Sequence, residues 1–188
     1  KLNIIFKYVN LSIAVLSVFM MIPIYLFFLS IEEYGIWLAI SAIASIFVIF
    51  DPGLANLIIQ KISASKGSKN FESLSYDISN SLIMSLFVVV FIIIIGLYLS
   101  ELAIDFLKIE AINEITSLHL YKILIISTSF SLVCFAIIGI IQGLHHSIYA
   151  GVVNLTLSIS RIIICIIFFM LDYGIYSLPF SWLVSSLL

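Results

Sequence analysis

The sequence predicts an all-α, polytopic membrane protein of about six transmembrane helices, and three observations carry that prediction. Hydrophobic residues make up 63% of the 188 positions and charged residues only 10%, with a mean hydropathy of +1.31. No soluble globular domain has that balance. Apolar runs long enough to cross hydrocarbon, roughly 20 residues, recur along the chain; Ser81–Leu99 holds nineteen residues without a charge. Short clusters of charged and turn-forming residues separate the runs, so residues 1–188 read as a single transmembrane domain without a soluble module.

Helix 1 is expected over Tyr8–Leu29, with Lys1 and Lys7 before it and Pro23 inside it. It is too long for a signal-peptide apolar region and lacks a small-x-small cleavage site, so it reads as retained. Glu32 and Glu33 form an acidic turn into helix 2, Ile36–Gln60. As one helix that segment is about 37 Å long at ~1.5 Å per residue, enough for a core of about 30 Å. Asp51-Pro52-Gly53 interrupts it. Proline deletes a backbone hydrogen bond and glycine loosens the helix, so Pro52 and Gly53 predict a kink.

The stretch Ser63–Asn80, rich in serine and holding Lys66, Lys69, Glu72 and Asp77, reads as the main hydrophilic loop. Helix 3 follows over Ser81–Leu99. The acidic connection Ser100–Ser117 places Leu102, Phe106, Ile109 and Ile112 at helical spacing and predicts a short interfacial helix. Helix 4 is His119–Gln142, and the turn from Gly143 to Ser147 leads into helix 5, Ile148–Leu171. Asp172-Tyr173-Gly174 turns the chain into helix 6, whose apolar run is still in progress at Leu188. Residue 1 is Lys rather than Met, and both ends read as those of an incomplete polypeptide.

Orientation follows lysine placement rather than the net charge of −2. Lys1, Lys7, Lys61, Lys66 and Lys69 fall at the N-terminus or between helices 2 and 3; Lys108 and Lys122 fall on the opposite side, with most of the acids. The N-terminus is therefore expected in the cytoplasm.

Two ionisable residues stand inside apolar runs. An ionisable group there is costly and by default faces protein or a water-filled cavity. Asp51 reads either as a proton- or cation-coupling carboxyl or as a structural acid serving backbone groups freed at the kink. Arg161, in the middle of helix 5, needs an anion or water, and Asp51 is an alternative salt-bridge partner. Gly139-x-x-x-Gly143 and Ser41-x-x-x-Ser45 are small-residue pairs that suit close helix packing. Trp37, Tyr34 and Tyr173 read as interface-belt aromatics. Cys134 and Cys165 lie within apolar runs and read as buried thiols. His119, His145 and His146 have no partner at ligand spacing. No metal site, cofactor motif, phosphate loop, nucleophile elbow or nucleic-acid patch is present in the sequence, and nothing supports an enzyme.

Between residues 23 and 56 a family resemblance emerges. Pro23, then Leu29-Ser30-x-Glu32-x-Tyr34-Gly35-x-Trp37, then Phe50-Asp51-Pro52-Gly53-Leu54-Ala55 resembles the start of bacterial polysaccharide-export flippases. These are the O-antigen and exopolysaccharide flippases of the multidrug/oligosaccharidyl-lipid/polysaccharide superfamily. Ser30 stands where that family carries glycine, and Pro52 where it carries leucine. Gln142-Gly143 and Arg161 are similar to the family pattern more weakly.

The resemblance implies a two-lobed transporter of the bacterial inner membrane, of which this chain is the N-terminal six-helix lobe with helix 6 truncated. It implies alternating access, a polyprenyl-diphosphate-linked oligosaccharide as substrate, and a role in polysaccharide or lipopolysaccharide assembly, with membrane lipids and polysaccharide-assembly proteins as partners. In that setting Arg161 would grip the diphosphate, and Asn56 and Asn154 would line the sugar pathway, with interhelical hydrogen bonds as their alternative. The rival readings are a multidrug or small-solute exporter of the same superfamily, a membrane-embedded polysaccharide-assembly enzyme and a structural subunit.

Overall fold

The computed structural model describes residue 19 and residues 21–49, 54–107 and 114–188, with backbone alone at 47–49. Among these residues the chain is helical throughout. Helical residues 21–28 (α1) lead into α2 (Ile31–Ile49). Then come α3 (Leu54–Gly67), α4 (Phe71–Tyr98), the short α5 (Ser100–Leu107), α6 (Glu114–Gly143), α7 (Ser147–Met170) and α8 (Ser177–Leu187), the last preceded by one 3₁₀ turn. Three helices, α4, α6 and α7, are long and apolar enough to cross a membrane. Two of them have 28 and 30 residues. At ~1.5 Å per residue each outruns a hydrocarbon core of about 30 Å, so its ends reach the headgroup layers.

The bundle is built around α6, which packs against α2, α3, α4, α5, α7 and α8. Of its most apolar stretch 61% is buried, against 11% for α7, so α6 is the core and α7 a wall. Tyr121, Leu120 and Ile125 on α6 are fully buried and share one cluster with Ile40 of α2, Ile92 of α4 and Leu178 of α8. The outer wall of α7 is a stripe of Ile159, Ile163 and Ile167, the i, i+4, i+8 spacing of a lipid-facing stripe.

Side-chain pairings fix the helix directions. Gly139 lies against Ala55 and Ile58, and Gly143 against Ile59 and Ile62, so α3 and α6 run parallel. The Ser127 hydroxyl donates to the Pro179 carbonyl and the Cys134 thiol to the Ser186 carbonyl, so α6 and α8 run parallel as well. Gly96 meets Ile125, while Ser85 and Val88 lie beside Leu132 and Phe135, so α4 is antiparallel to α6. These directions place the α3–α4 turn and the α6–α7 turn at the same end of the bundle.

That end carries Lys61, Lys66, Lys69, His145 and His146, with Glu72 and Asp77; the other carries Glu32, Glu33, Glu101, Asp105, Glu114 and Asp172, with Lys122 and His119. The charge asymmetry expected from the sequence therefore survives as two chemically distinct ends. The basic end is stitched by polar contacts. Lys66 Nζ donates to the Leu144 carbonyl, Ser63 donates to the Gly143 carbonyl at 3.2 Å, and Ser65 bonds both Ser73 and Asp77.

Close approach depends on small residues, as expected where backbones rather than large side chains form the contact. Gly139 and Gly143 turn one edge of α6 toward α3, which realises the glycine pair read from the sequence. On α8, Ser177, Ser181 and Ser185 form a buried stripe; Ser181 and Ser185 each donate to the carbonyl three residues earlier. The polarity of those two is thus satisfied within the helix, whereas the buried Ser177 hydroxyl has no partner among the described residues.

The structure corrects four expectations. Ser63–Asn80 is not a loop: α3 runs to Gly67, only 68–70 form a turn, and α4 starts at Phe71. Asn70 caps it, its side chain accepting from Ser73 N at 3.0 Å, and the polar residues ride on helix ends that extend past the hydrocarbon. Trp37 is not an interface-belt residue, since it is 6% exposed within the main core cluster. Ser45 is exposed, so Ser41 and Ser45 do not form a packing pair; each donates to a carbonyl of its own helix instead. Glu32 and Glu33 are not a separate turn but the first turn of α2. Ser30 N donates to Glu33 Oε2 at 2.8 Å and Glu33 N to Ser30 Oγ at 3.1 Å, a reciprocal capping box.

Candidate functional site

Arg161 is the one charge in α7. It lies about 21 Å along the helix from Ser147 and about 14 Å from Met170 at ~1.5 Å per residue, well inside a membrane-length segment. Its side chain is half-buried and points toward α8. The guanidinium carbon sits 4.4 Å from the centre of the Trp182 ring, and Nε donates to Ser185 Oγ at a long 3.5 Å. Trp182 and Ser185 are three residues apart on α8 and so share a face. Cys134 of α6 and Tyr25 of α1 are its electrostatic neighbours. Beyond Tyr25 an aromatic rim continues, with Phe28 stacked on Phe169 at 4.9 Å and Tyr25 at 6.3 Å from Phe169.

The described neighbours hold the cation without neutralising it. Among the described residues no carboxylate lies within ion-pair distance of Arg161. A guanidinium has five N–H donors in a planar fork, and among the described residues only the long contact to Ser185 engages one of them. A cation–π contact of this kind recovers about 0.5–2 kcal/mol, while a central arginine costs about 2.5–3.5 kcal/mol on insertion scales. The balance leaves room for an anionic ligand.

Asn154 lies on the Arg161 face of α7, since a seven-residue spacing returns to the same side of a helix. It is about 10 Å nearer the basic end at ~1.5 Å per residue. Its side-chain amide has no hydrogen-bond partner among the described residues. Asn56 is exposed on α3, likewise without a side-chain partner there. The interhelical hydrogen bonds offered as their alternative role are therefore not formed among the described residues. The structure brings Arg161 and Asn154 together on one helix face but leaves Asn56 apart, because α3 packs on α4 and α6 whereas α7 packs on α6 and α8. Asp51, Pro52 and Gly53, expected as coupling acid and kink, lie outside the described residues.

Cys165 and Cys134 are free thiols. Among the described residues no group of three or more histidine, cysteine or acidic side chains is placed to hold a metal ion. Trp182 and Ser185, which set the geometry of Arg161, were missed by sequence reasoning. The only signal was their i, i+3 spacing on an apolar segment, and nothing local ties them to position 161. No protein-family model, curated protein or solved structure matches the chain.

Proposed function

We propose that this chain is the N-terminal helical lobe of a bacterial inner-membrane flippase that moves a polyprenyl-diphosphate-linked oligosaccharide by alternating access. The observation that carries the reading is Arg161, a half-buried guanidinium at membrane depth whose described neighbours are a tryptophan face, a serine, a thiol and a tyrosine. Arginine grips phosphate oxygens with two parallel N–H bonds, and a diphosphate supplies the counter-charge that none of the described neighbours gives. Asn154 on the same face would meet sugar hydroxyls. The sequence resemblance at residues 23–56 supplies the substrate class, and the lysine-rich end of the bundle supports a cytoplasmic N-terminus.

Export measured per molecule of membrane-inserted protein tests the reading. Arg161→Ala should abolish export, and Arg161→Lys should retain part of it, because lysine keeps the charge but loses the fork. Both should insert normally, since alanine removes the buried charge and lysine costs about as much to insert as the arginine it replaces. If Arg161 instead serves a salt bridge to Asp51, the double change Asp51→Ala/Arg161→Ala should export like the parent, and that result would overturn the substrate role.

A further inference from the structure

A second feature lies far from Arg161, on the opposite flank of α6. Between α3 and α4 runs a cavity of about 390 Å³, within the roughly 300–1,000 Å³ range of small-molecule sites. Lys61, Asp77 and Asn80 line one end of it, and Leu57, Met84 and Phe87 the other. Lys61 and Asp77 are each seven residues from the 68–70 turn, about 10 Å at ~1.5 Å per residue, whereas Phe87 is about 25 Å from it. The cavity thus passes from charged to apolar in the direction that leads from headgroup layer to bilayer centre.

The polar end is not self-neutralised. Lys61 and Asp77 face the same cavity without forming an ion pair among the described residues. Ser65 Oγ donates to Asp77 Oδ2, and among the described residues Asp77 Oδ1 has no donor and the Asn80 side-chain amide no partner. One cation, one half-satisfied carboxylate and one open amide therefore converge at the mouth of an apolar channel.

We infer that this cavity binds a glycerophospholipid whose headgroup carries a primary ammonium beside its phosphate. The phosphate sits on Lys61, the ammonium donates to Asp77 Oδ1 and the Asn80 carbonyl, and the acyl chain follows Leu57, Met84 and Phe87. Complementarity of charge selects this occupant. An anionic phospholipid gains Lys61 but meets the Asp77 carboxylate. A quaternary ammonium brings charge without the N–H donors that Oδ1 and the amide accept. The inference does not depend on what Arg161 binds.

Native mass spectrometry of the full chain, released from micelles holding equal amounts of phosphatidylethanolamine, phosphatidylcholine and phosphatidylglycerol, tests it. Phosphatidylethanolamine should be the lipid retained. Asp77→Asn keeps an acceptor for Ser65 and removes the charge, so the preference should fall about tenfold, the scale of one charge-assisted hydrogen bond. Met84→Trp fills the apolar end without touching Ser65 or Asp77, and should lower retention of all three lipids in a chain that stays folded. Equal or greater retention of phosphatidylglycerol, an unchanged preference in Asp77→Asn, or undiminished lipid in Met84→Trp would each overturn the site.

Discussion

Replacing Gly143 by alanine measures how closely α3 and α6 are pressed together. The new Cβ would stand 2.8 Å from Ile62 Cβ, 2.9 Å from Ile62 Cγ2 and 3.2 Å from the Ile59 carbonyl oxygen. Carbon atoms in contact prefer about 3.5–4.0 Å. Rotating the isoleucine side chain does not move its Cβ, so relief requires α3 to withdraw by several tenths of an ångström. Overpacking of this kind costs about 1–3 kcal/mol, and the helix-propensity gain from glycine to alanine returns at most about 1 kcal/mol.

The net expectation is a loss of about 1–2 kcal/mol. Two companion changes calibrate it. At Gly139 the nearest atom is the Ala55 carbonyl oxygen at 3.2 Å, so Gly139→Ala should come close to break-even. At Gly35, exposed on α2, nothing lies within 4 Å, so Gly35→Ala should stabilise by about 0.5–1 kcal/mol. Reversible unfolding by sodium dodecyl sulfate, followed by helical circular dichroism in mild detergent, gives the three values. The order should be Gly35→Ala most stable, then Gly139→Ala, then Gly143→Ala. A Gly143→Ala protein as stable as the parent would refute the parallel α3–α6 packing.

Three further outcomes are expected. Tyr121 is fully buried and its hydroxyl has no partner among the described residues, so Tyr121→Phe should be neutral or stabilising by up to about 1 kcal/mol in the same assay; a loss larger than that would show a hidden partner. Ser30→Ala removes the acceptor for Glu33 N and should cost about 1 kcal/mol, whereas Ser30→Asp should restore it. In a Cys134→Ser/Cys165→Ala background, a cysteine at Ser68 should be labelled by an impermeant maleimide only after the membrane is opened. One at Asp172 should label in intact cells, and the reverse pattern would invert the orientation.

Much of the bundle was legible because hydrocarbon imposes a length. α6 and α7 fall within a few residues of the expected helices 4 and 5, since each apolar run ends at turn residues. The glycine pair at 139 and 143 announced close packing, but the sequence did not say against which helix, because contact with α3 joins residues some eighty positions apart. Polar composition misled at 63–80, where serine and charge mark the headgroup layer rather than a break in the helix. The box formed by Ser30 and Glu33 was present as Ser-x-x-Glu, masked by the adjacent acid that suggested a turn. Trp37 shows that residue type alone does not choose between lipid interface and core; the packing of α2 decided it. At Arg161 the costly charge was visible, while its partners Trp182 and Ser185 followed only from the antiparallel register of α7 and α8.

The most direct test of the Arg161 assignment uses the tryptophan beneath it. The chain has two tryptophans, so a Trp37→Phe background leaves Trp182 as the reporter. Titrating that protein in detergent with polyprenyl diphosphate should change Trp182 emission saturably as phosphate oxygens draw the guanidinium from the ring, and polyprenyl alcohol should leave it unchanged. Arg161→Lys should weaken the response about tenfold, the scale of one lost charge-assisted bond, and Arg161→Ala should abolish it. Diphosphate binding of parental affinity in Arg161→Ala, or an equal response to the alcohol, would contradict the account.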